Sequence, residues 1–545
     1  MRPELQVLVL LPAVLVVVSI IATRLKTSPA ILLVLAGVVL ALIPGLPTVK
    51  LAPSLMLLFV LPPVIYSSAV AMSWREFRFN IRLISLLAIG CVAFTTWTAA
   101  AAAHWLLGLP WPEGFVLGAI VSPPDAVAPL ALARKMGLPR RLLVVLEGEG
   151  LANDATALVF YRFAVVAVSI GAFSLGHALA SFAEIAAGEV LWGLAVGWGM
   201  LKLRHWVRNP RLEILLSVLT PFLAYWPPQQ AGGSGVLATV TCGLYISWNG
   251  LRLISAATRL QGIFFWDFII YCTEGMLFLV TGLQARTLLG AFNTYDIRQL
   301  ILSAILISAV IIIARFVWMY PATYLPRRLS PALARTDPAP PWQWPFLLAY
   351  TGIRGIVSLA AALAIPLTIE SGQAFPHRDL ILFLTYSVIL VTLVGQGLLL
   401  PLVIRALGLA NAGRQELKVE KAEEITVRRK AFEAALAYLD DPGKQALLGE
   451  AALPLRNLYR ERLKHVASGE AGGVDAAAQA NVMAQLLAIE RETMIELYRG
   501  GQLKDEPRLR IERDLDLREA QLANLHVMEE SNPGTAAIAS THSGA

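Results

Sequence analysis

Apolar residues in this chain come in long runs rather than alternating with polar ones or lining one face of a helix. Between charged or Pro/Gly-rich breaks there are thirteen such runs, at about 5–23, 28–45, 51–71, 82–104, 112–133, 142–170, 183–201, 212–226, 233–249, 266–285, 299–322, 343–368 and 379–406. A hydrocarbon core of roughly 30 Å takes about 20 residues of α-helix, so each run predicts a transmembrane span. The fold class expected is an all-α polytopic membrane protein with about 13 transmembrane helices. The first run has Glu4 beside Arg2, no small-residue cleavage pattern and a second apolar run close behind, which makes it a span rather than a signal peptide. Beyond residue 410 the pattern changes. Over 418–439 and 476–498, Ala, Leu and Val recur at helical spacing among Glu, Lys and Arg, with breaks at Asp441-Pro442-Gly443 and Gly472-Gly473. Residues 1–410 are therefore expected to be the membrane domain, 411–532 a helical region that regulates it or supports a dimer, and 533–545 a disordered tail.

Composition agrees: 57% of the 545 residues are hydrophobic and 15% charged, with a mean hydropathy of +0.63, whereas soluble domains carry about 25% charge. Cys91, Cys242 and Cys272 all lie in apolar runs, so no disulfide framework is expected. The net charge of +7 changes meaning once it is divided along the chain. Residues 1–410 hold 27 basic and 16 acidic side chains, and 411–545 hold 18 and 22. The excess belongs to the membrane domain, where Lys and Arg mark cytoplasmic loops, and it predicts no nucleic-acid partner. Alternate loops carry it: Arg24 and Lys26, then Arg75, Arg78 and Arg82, then Arg134, Lys135, Arg140 and Arg141, and so on to Arg327, Arg328 and Arg335, against only Arg2, Lys50, Arg286, Arg298 and Arg378 in the other set. With an odd number of spans, this bias predicts a cell-membrane protein with its N-terminus outside and its C-terminus in the cytoplasm.

Ionisable residues inside spans are costly, and each is a functional candidate until a structural role accounts for it. Snorkelling or loop contacts account for Glu147, Glu184, Glu189, Arg162 and Arg315 on this reading. Asp125, Glu149, Asp154, Glu274 and Arg354 lie deeper and need partners. In the fifth run, Ser122-Pro123-Pro124-Asp125-Ala126 removes two consecutive backbone donors beside a carboxylate, which predicts a broken helix lining a protected or watery cavity. In the twelfth, Thr351-Gly352-Ile353-Arg354-Gly355 loosens the helix around a guanidinium. If the spans form two inverted six-helix repeats about a seventh linker, the broken helices are the fifth of each repeat, and such a pair marks a transporter's midplane site.

The sixth run contains Glu149-Gly150-Leu151-Ala152-Asn153-Asp154-Ala155-Thr156. Asp154 is expected to meet Asp125 across a helix interface and form an oxygen-rich site for a monovalent cation. Asn153 would orient a carboxylate or brace the break, and Glu149 would pair with Arg354. Two carboxylates in a low-dielectric site cannot both stay charged unless a cation joins them, so the site holds either a proton or a cation. Competition for one site then couples two fluxes.

At these motifs the chain resembles the cation:proton antiporter 1 family, over roughly residues 1–410. Ser122-Pro123-Pro124-Asp125-Ala126-Val127-Ala128 is similar to its broken fifth helix, Gly148-Glu149 through Asn153-Asp154 to its sixth-helix signature, and Gly352-Ile353-Arg354-Gly355 to its buried-arginine segment. The resemblance implies Na+/H+ antiport, with Li+ or K+ as further cations, on Asp154 with support from Asp125 and Asn153. It also implies a structural Glu149–Arg354 ion pair, a homodimer, and electroneutral exchange, because Asn rather than Asp precedes Asp154. Ser122, Thr156 and Glu274 are accessory candidates. Gly150 stands where several relatives carry Ser, and Glu274 where some carry a neutral amide.

No Gly-x-x-x-x-Gly-Lys loop, zinc-spaced His pair or dinucleotide loop is present, so neither an enzyme nor a cofactor is expected. Gly193-Leu194-Ala195-Val196-Gly197 reads as a helix-packing surface, and His104 and His377 as exposed bystanders near the outer ends. The rival functions are a K+/H+ antiporter and a non-exchanging cation channel or sensor on the same scaffold.

Overall fold

A computed structural model of the chain describes residues 3–25, 28–43, 56–170, 175–207, 209–286, 295–369, 371–441, 452–467, 474–499, 507–508, 511–512 and 514–519. The tail expected to be disordered, the Gly-rich breaks at 442–443 and 472–473, and the loop charges Lys26, Lys50 and Arg208 lie outside the described residues. The chain separates into two compact units, Met1–Arg414 and Gln415–Ala545.

Helices occupy all thirteen apolar runs. In order they are α1 (Pro3–Leu25), α2 (Pro29–Leu42), α3 (Leu61–Ala71), α4 (Trp74–Leu107), α5 (Trp111–Val121), α6 (Val127–Lys135), α7 (Arg140–Ile170), α8 (Leu175–Val207), α9 (Pro210–Gln230), α10 (Val236–Leu253), α11 (Ala256–Leu283), α12 (Ile297–Leu329), α13 (Gln343–Tyr350), α14 (Ile356–Leu363) and α15 (Arg378–Ala406). The only β pairing among the described residues is a single bridge between Thr368 and Ala374. Helices α4, α7, α8, α11, α12 and α15 are each long and apolar enough to cross a membrane. The segments in which they qualify run to 28–34 residues, longer than the roughly 20 that a bilayer needs, so polar turns extend past the apolar core. The fifth and twelfth runs are each two helices: α5 and α6 are separated by Ser122–Ala126, and α13 and α14 by Thr351–Gly355.

Several interior charges serve the helices. Glu189 of α8 was expected to snorkel, but it is buried. One carboxylate oxygen accepts the N–H groups of Ser234 (2.6 Å) and Gly235 (2.9 Å), and the other those of Leu237 (3.0 Å) and Ala238 (3.3 Å). A charge from another helix thus satisfies the orphan donors at the start of α10, which its own N-cap, Gly235, cannot do. Arg162 donates to the carbonyl of Gly232 at 2.7 Å, Glu147 accepts from Arg134 at 3.0 Å, and Glu184 is exposed. Gly193 lets α8 lie against α10, since a Cβ there would sit 2.3 Å from the Ala238 carbonyl oxygen, the packing role its spacing suggests.

One acid ties three helices together beyond the spans. Asp337, between α12 and α13, meets Arg82 of α4 at 2.8 Å, Arg141 of α7 at 2.9 Å and Arg327 of α12 at 2.7 Å. In the second unit, Phe432 packs edge-on against Tyr459, Leu487, Met494 and Leu515 form a small apolar cluster, and Arg491 holds Asp516 and Glu519 at 2.8 and 2.7 Å.

Burial alone would push the Asp337 carboxyl up, but the hydrogen bonds and charges of Arg141 and Arg327 outweigh it and hold the group below its ordinary range. A depressed acid contributes stability that is complete above its unfolded pKa and lost as pH falls through the folded one. Asp337→Asn should therefore lower stability at pH 7 by roughly 2 kcal/mol, since three arginines lose their shared anion. In melts of the purified protein, the difference from the unsubstituted chain should shrink below about pH 4.

Candidate functional site

The two interrupted helices meet at their breaks. The N–H of Asp125 donates to the carbonyl of Ile353 at 2.6 Å. Pro123 and Pro124 supply no N–H at the first break, and two glycines bracket the second. Four helix ends are thereby left inside the protein: the C-termini of α5 and α13, with unpaired carbonyls and partial negative charge, and the N-termini of α6 and α14, with unpaired N–H groups and partial positive charge.

Three side chains compensate these ends. Arg354 donates through Nε to the Val121 carbonyl at 2.8 Å and through Nη2 to Ser122 at 3.4 Å, and also binds the Gly352 carbonyl. It is a guanidinium cap on α5. Its own backbone is anchored by an N–H bond to Thr392 Oγ1 of α15 at 3.0 Å. Arg315 of α12 donates through Nε and Nη2 to the Leu348 carbonyl of α13, at 3.1 and 2.9 Å. Asp125 accepts the N–H of Val127 at 2.9 Å and that of Ile356, so one carboxylate caps both α6 and α14.

The ion pair of Glu149 differs from the expectation. Its partner is Arg315, which binds both carboxylate oxygens, at 2.5 and 2.9 Å, with both side chains at most 2% exposed. Arg354 is occupied by carbonyls instead. Arg315 was expected to snorkel or to contact a loop, but it is buried at the middle of α12, which runs from Ile297 to Leu329.

Asp125 and Asp154 line one cavity of about 360 Å³, joined by Glu274 of α11, Gly150 and Ser358. The cavity reaches to the largely exposed side chain of Arg134. At roughly 30 Å³ per water it admits on the order of ten, enough for a hydrated ion. Asn153 lies behind this wall, fully buried, and donates through Nδ2 to the Pro124 carbonyl at 2.7 Å, bracing the break. Among the described residues no three His, Cys, Asp or Glu side chains converge as a metal-ligand set, so the carboxylates share the cavity without forming a tight chelate. Glu274 is not a partner of Arg354, whose side-chain donors go to backbone carbonyls.

Two accessory candidates point elsewhere. Ser122 turns its hydroxyl back to the Ala119 carbonyl at 3.2 Å. Thr156 faces a separate apolar crevice, because residues two apart on a helix lie on nearly opposite faces. At Gly150, an added Cβ would sit 2.6 Å from that of Ala126, so this glycine admits the backbone of the break. Near the other end, His377 bonds through Nδ1 to the buried Glu113 of α5 at 2.6 Å. It is exposed, yet not a bystander.

These contacts give two expectations. A Cβ on Gly355 would sit 1.7 Å from Asp125 Oδ2, so Gly355→Ala should displace that carboxylate and reduce cation-dependent proton movement in vesicles by about tenfold or more. Glu149→Gln and Arg315→Leu should each lower unfolding stability by about 3–5 kcal/mol. The double variant should lose less than the sum, whereas additive losses in thermal or denaturant unfolding would disprove the pairing.

The chain is similar to known proteins in sequence and in fold. The model of the transmembrane sodium/hydrogen exchanger family matches residues 10–406. An uncharacterized Na(+)/H(+) exchanger of Mycobacterium tuberculosis (strain ATCC 25618 / H37Rv) is 34% identical over 536 residues, covering 95% of this chain and 96% of that protein. The sodium, potassium, lithium and rubidium/H(+) antiporter of Bacillus pumilus (strain SAFR-032) is 32% identical over 442 residues, 79% of this chain and 64% of the relative. Among solved structures, the sodium proton antiporter MjNhaP1 of Methanocaldococcus jannaschii at pH 8 matches with a TM-score of 0.56 at 19% identity, covering 75% of this chain and all of that one, which shows a common fold. The chain belongs to the sodium/hydrogen exchanger family, a family of multi-pass membrane transporters.

Proposed function

We propose that this chain exchanges Na+ for H+ across the membrane by competition for one carboxylate site, with Asp154 as the exchanging group, Asp125 as its partner and Asn153 as the brace of the broken helix. The observation that carries this reading is a cavity lined by Asp125, Asp154 and Glu274 whose neighbouring arginines are all engaged. Arg315 is bound to Glu149, Arg134 to Glu147, and Arg354 to backbone carbonyls. With no cationic side chain among the described residues free to neutralise them, these carboxylates take a proton or a cation from solution. Asn153 carries no titratable proton, which supports one-for-one, electroneutral exchange.

The proposal includes the topology that the basic loops imply, with the N-terminus outside, thirteen spans in two inverted repeats, and a dimer. On that topology the cavity, which reaches Arg134, opens to the cytoplasm, and transport moves the crossed helices against their surroundings to expose the site on the other side. A second reading, K+/H+ exchange, is favoured by the breadth of cations in the name of the Bacillus pumilus relative.

The test is proton flux in reconstituted vesicles with Na+, Li+, K+ and Rb+, with and without an imposed potential. Asp154→Asn should abolish cation-driven proton release while the protein stays folded, and Asp125→Asn should weaken it severely. Unchanged flux in Asp154→Asn would overturn the mechanism, and cation flux without proton movement would identify a channel.

A further inference from the structure

A second cavity, of about 680 Å³, lies between α4 and α7 on one side and α8 and α10 on the other. Its walls are almost wholly apolar, with Ile81, Val159, Phe182 and Leu244 among them. It is bordered by α8, the least buried of the six long apolar helices. A dry apolar crevice in a chain surrounded by lipid is filled by hydrocarbon, because water there finds no polar partners.

The crevice also has a direction. One end holds Phe182 and Leu237, and the other Trp74, Trp248 and Asn249. The second end is fixed by a bond from Ser247 to the Met72 carbonyl at 2.7 Å. From Leu237 to Asn249 the helix rises about 18 Å, close to the depth of one leaflet, roughly 15 Å. Indole rings sit where headgroups begin. Beside Trp74, the exposed Arg75 and Arg78 have no acidic partner among the described residues, and Arg78 shares a helix face with Trp74 and Ile81.

We infer that this crevice is a binding site for one anionic phospholipid, its acyl chain lying along α7 and α10 and its headgroup held at Arg75 and Arg78. The site lies against the face of α7 opposite the carboxylates, and the inference does not rest on the ion-exchange reading.

The test is native mass spectrometry of the full-length protein, delipidated and then offered phosphatidylglycerol or phosphatidylcholine. The unsubstituted chain should retain one phosphatidylglycerol in preference to phosphatidylcholine. Ala186→Trp, which fills the crevice from α8, should reduce that retention about tenfold, whereas Gly188→Trp, at a position with open space around it, should not. The surface double variant Arg75→Gln/Arg78→Gln should bind both lipids equally, which decides the matter even if the Ala186 variant fails to fold. No retained lipid, equal retention in the two tryptophan variants, or an undiminished anionic preference in the double variant would overturn the site.

Discussion

Everything at the centre of this protein depends on neutralising four helix ends that lie inside the protein rather than at its surface. Breaking α5 from α6 and α13 from α14 exposes carbonyls and N–H groups in the interior, which is tolerable only when each finds a partner. Arg354 meets the α5 end and Arg315 the α13 end, while Asp125 serves α6 and α14 together. Charges of the right sign stand at each end of the local dipoles. The close approach depends on Gly355, where any Cβ would enter the space of the Asp125 carboxylate.

That arrangement leaves acids beside the cavity without a basic partner, the feature on which the proposed exchange rests. Each arginine is committed, Arg315 bidentately to Glu149 and Arg354 to backbone oxygens. Among the described residues Asp125, Asp154 and Glu274, which face the cavity, have no such guanidinium. Asp125 is half engaged as a double cap, Asp154 stands on the unbroken α7, and Glu274 approaches from α11. The structure thus separates a charge-paired scaffold from a set of carboxylates open to solution cations. One residue joins the two, since the Asp125 carboxylate that holds the crossing together also borders the cavity.

Much of this was legible in sequence because its causes are local. Consecutive prolines at 123 and 124 remove donors wherever they occur, and the glycines at 352 and 355 loosen a helix in the same way, so both breaks could be placed from the chain alone. The helical runs followed from apolar length. Partner choice was not legible, because it depends on contacts far apart in the chain. Arg315 was read as a snorkelling or loop charge because its partners, Glu149 and the Leu348 carbonyl, lie 166 and 33 residues away in the chain. Glu189 gave no local sign that it caps α10, whose first turn lies 45 or more residues further along the chain. Thr156 was placed by nearness in sequence to Asp154, where helical geometry turns it to the opposite wall.

The central claim is that cation and proton occupy the same carboxylate site in turn. The most direct measurement is proton release on adding Na+ to the purified protein in weakly buffered detergent solution, followed together with cation binding by calorimetry. The account predicts that each bound cation displaces about one proton near neutral pH and that affinity falls as pH is lowered. Cation binding with no proton release and no pH dependence would contradict it.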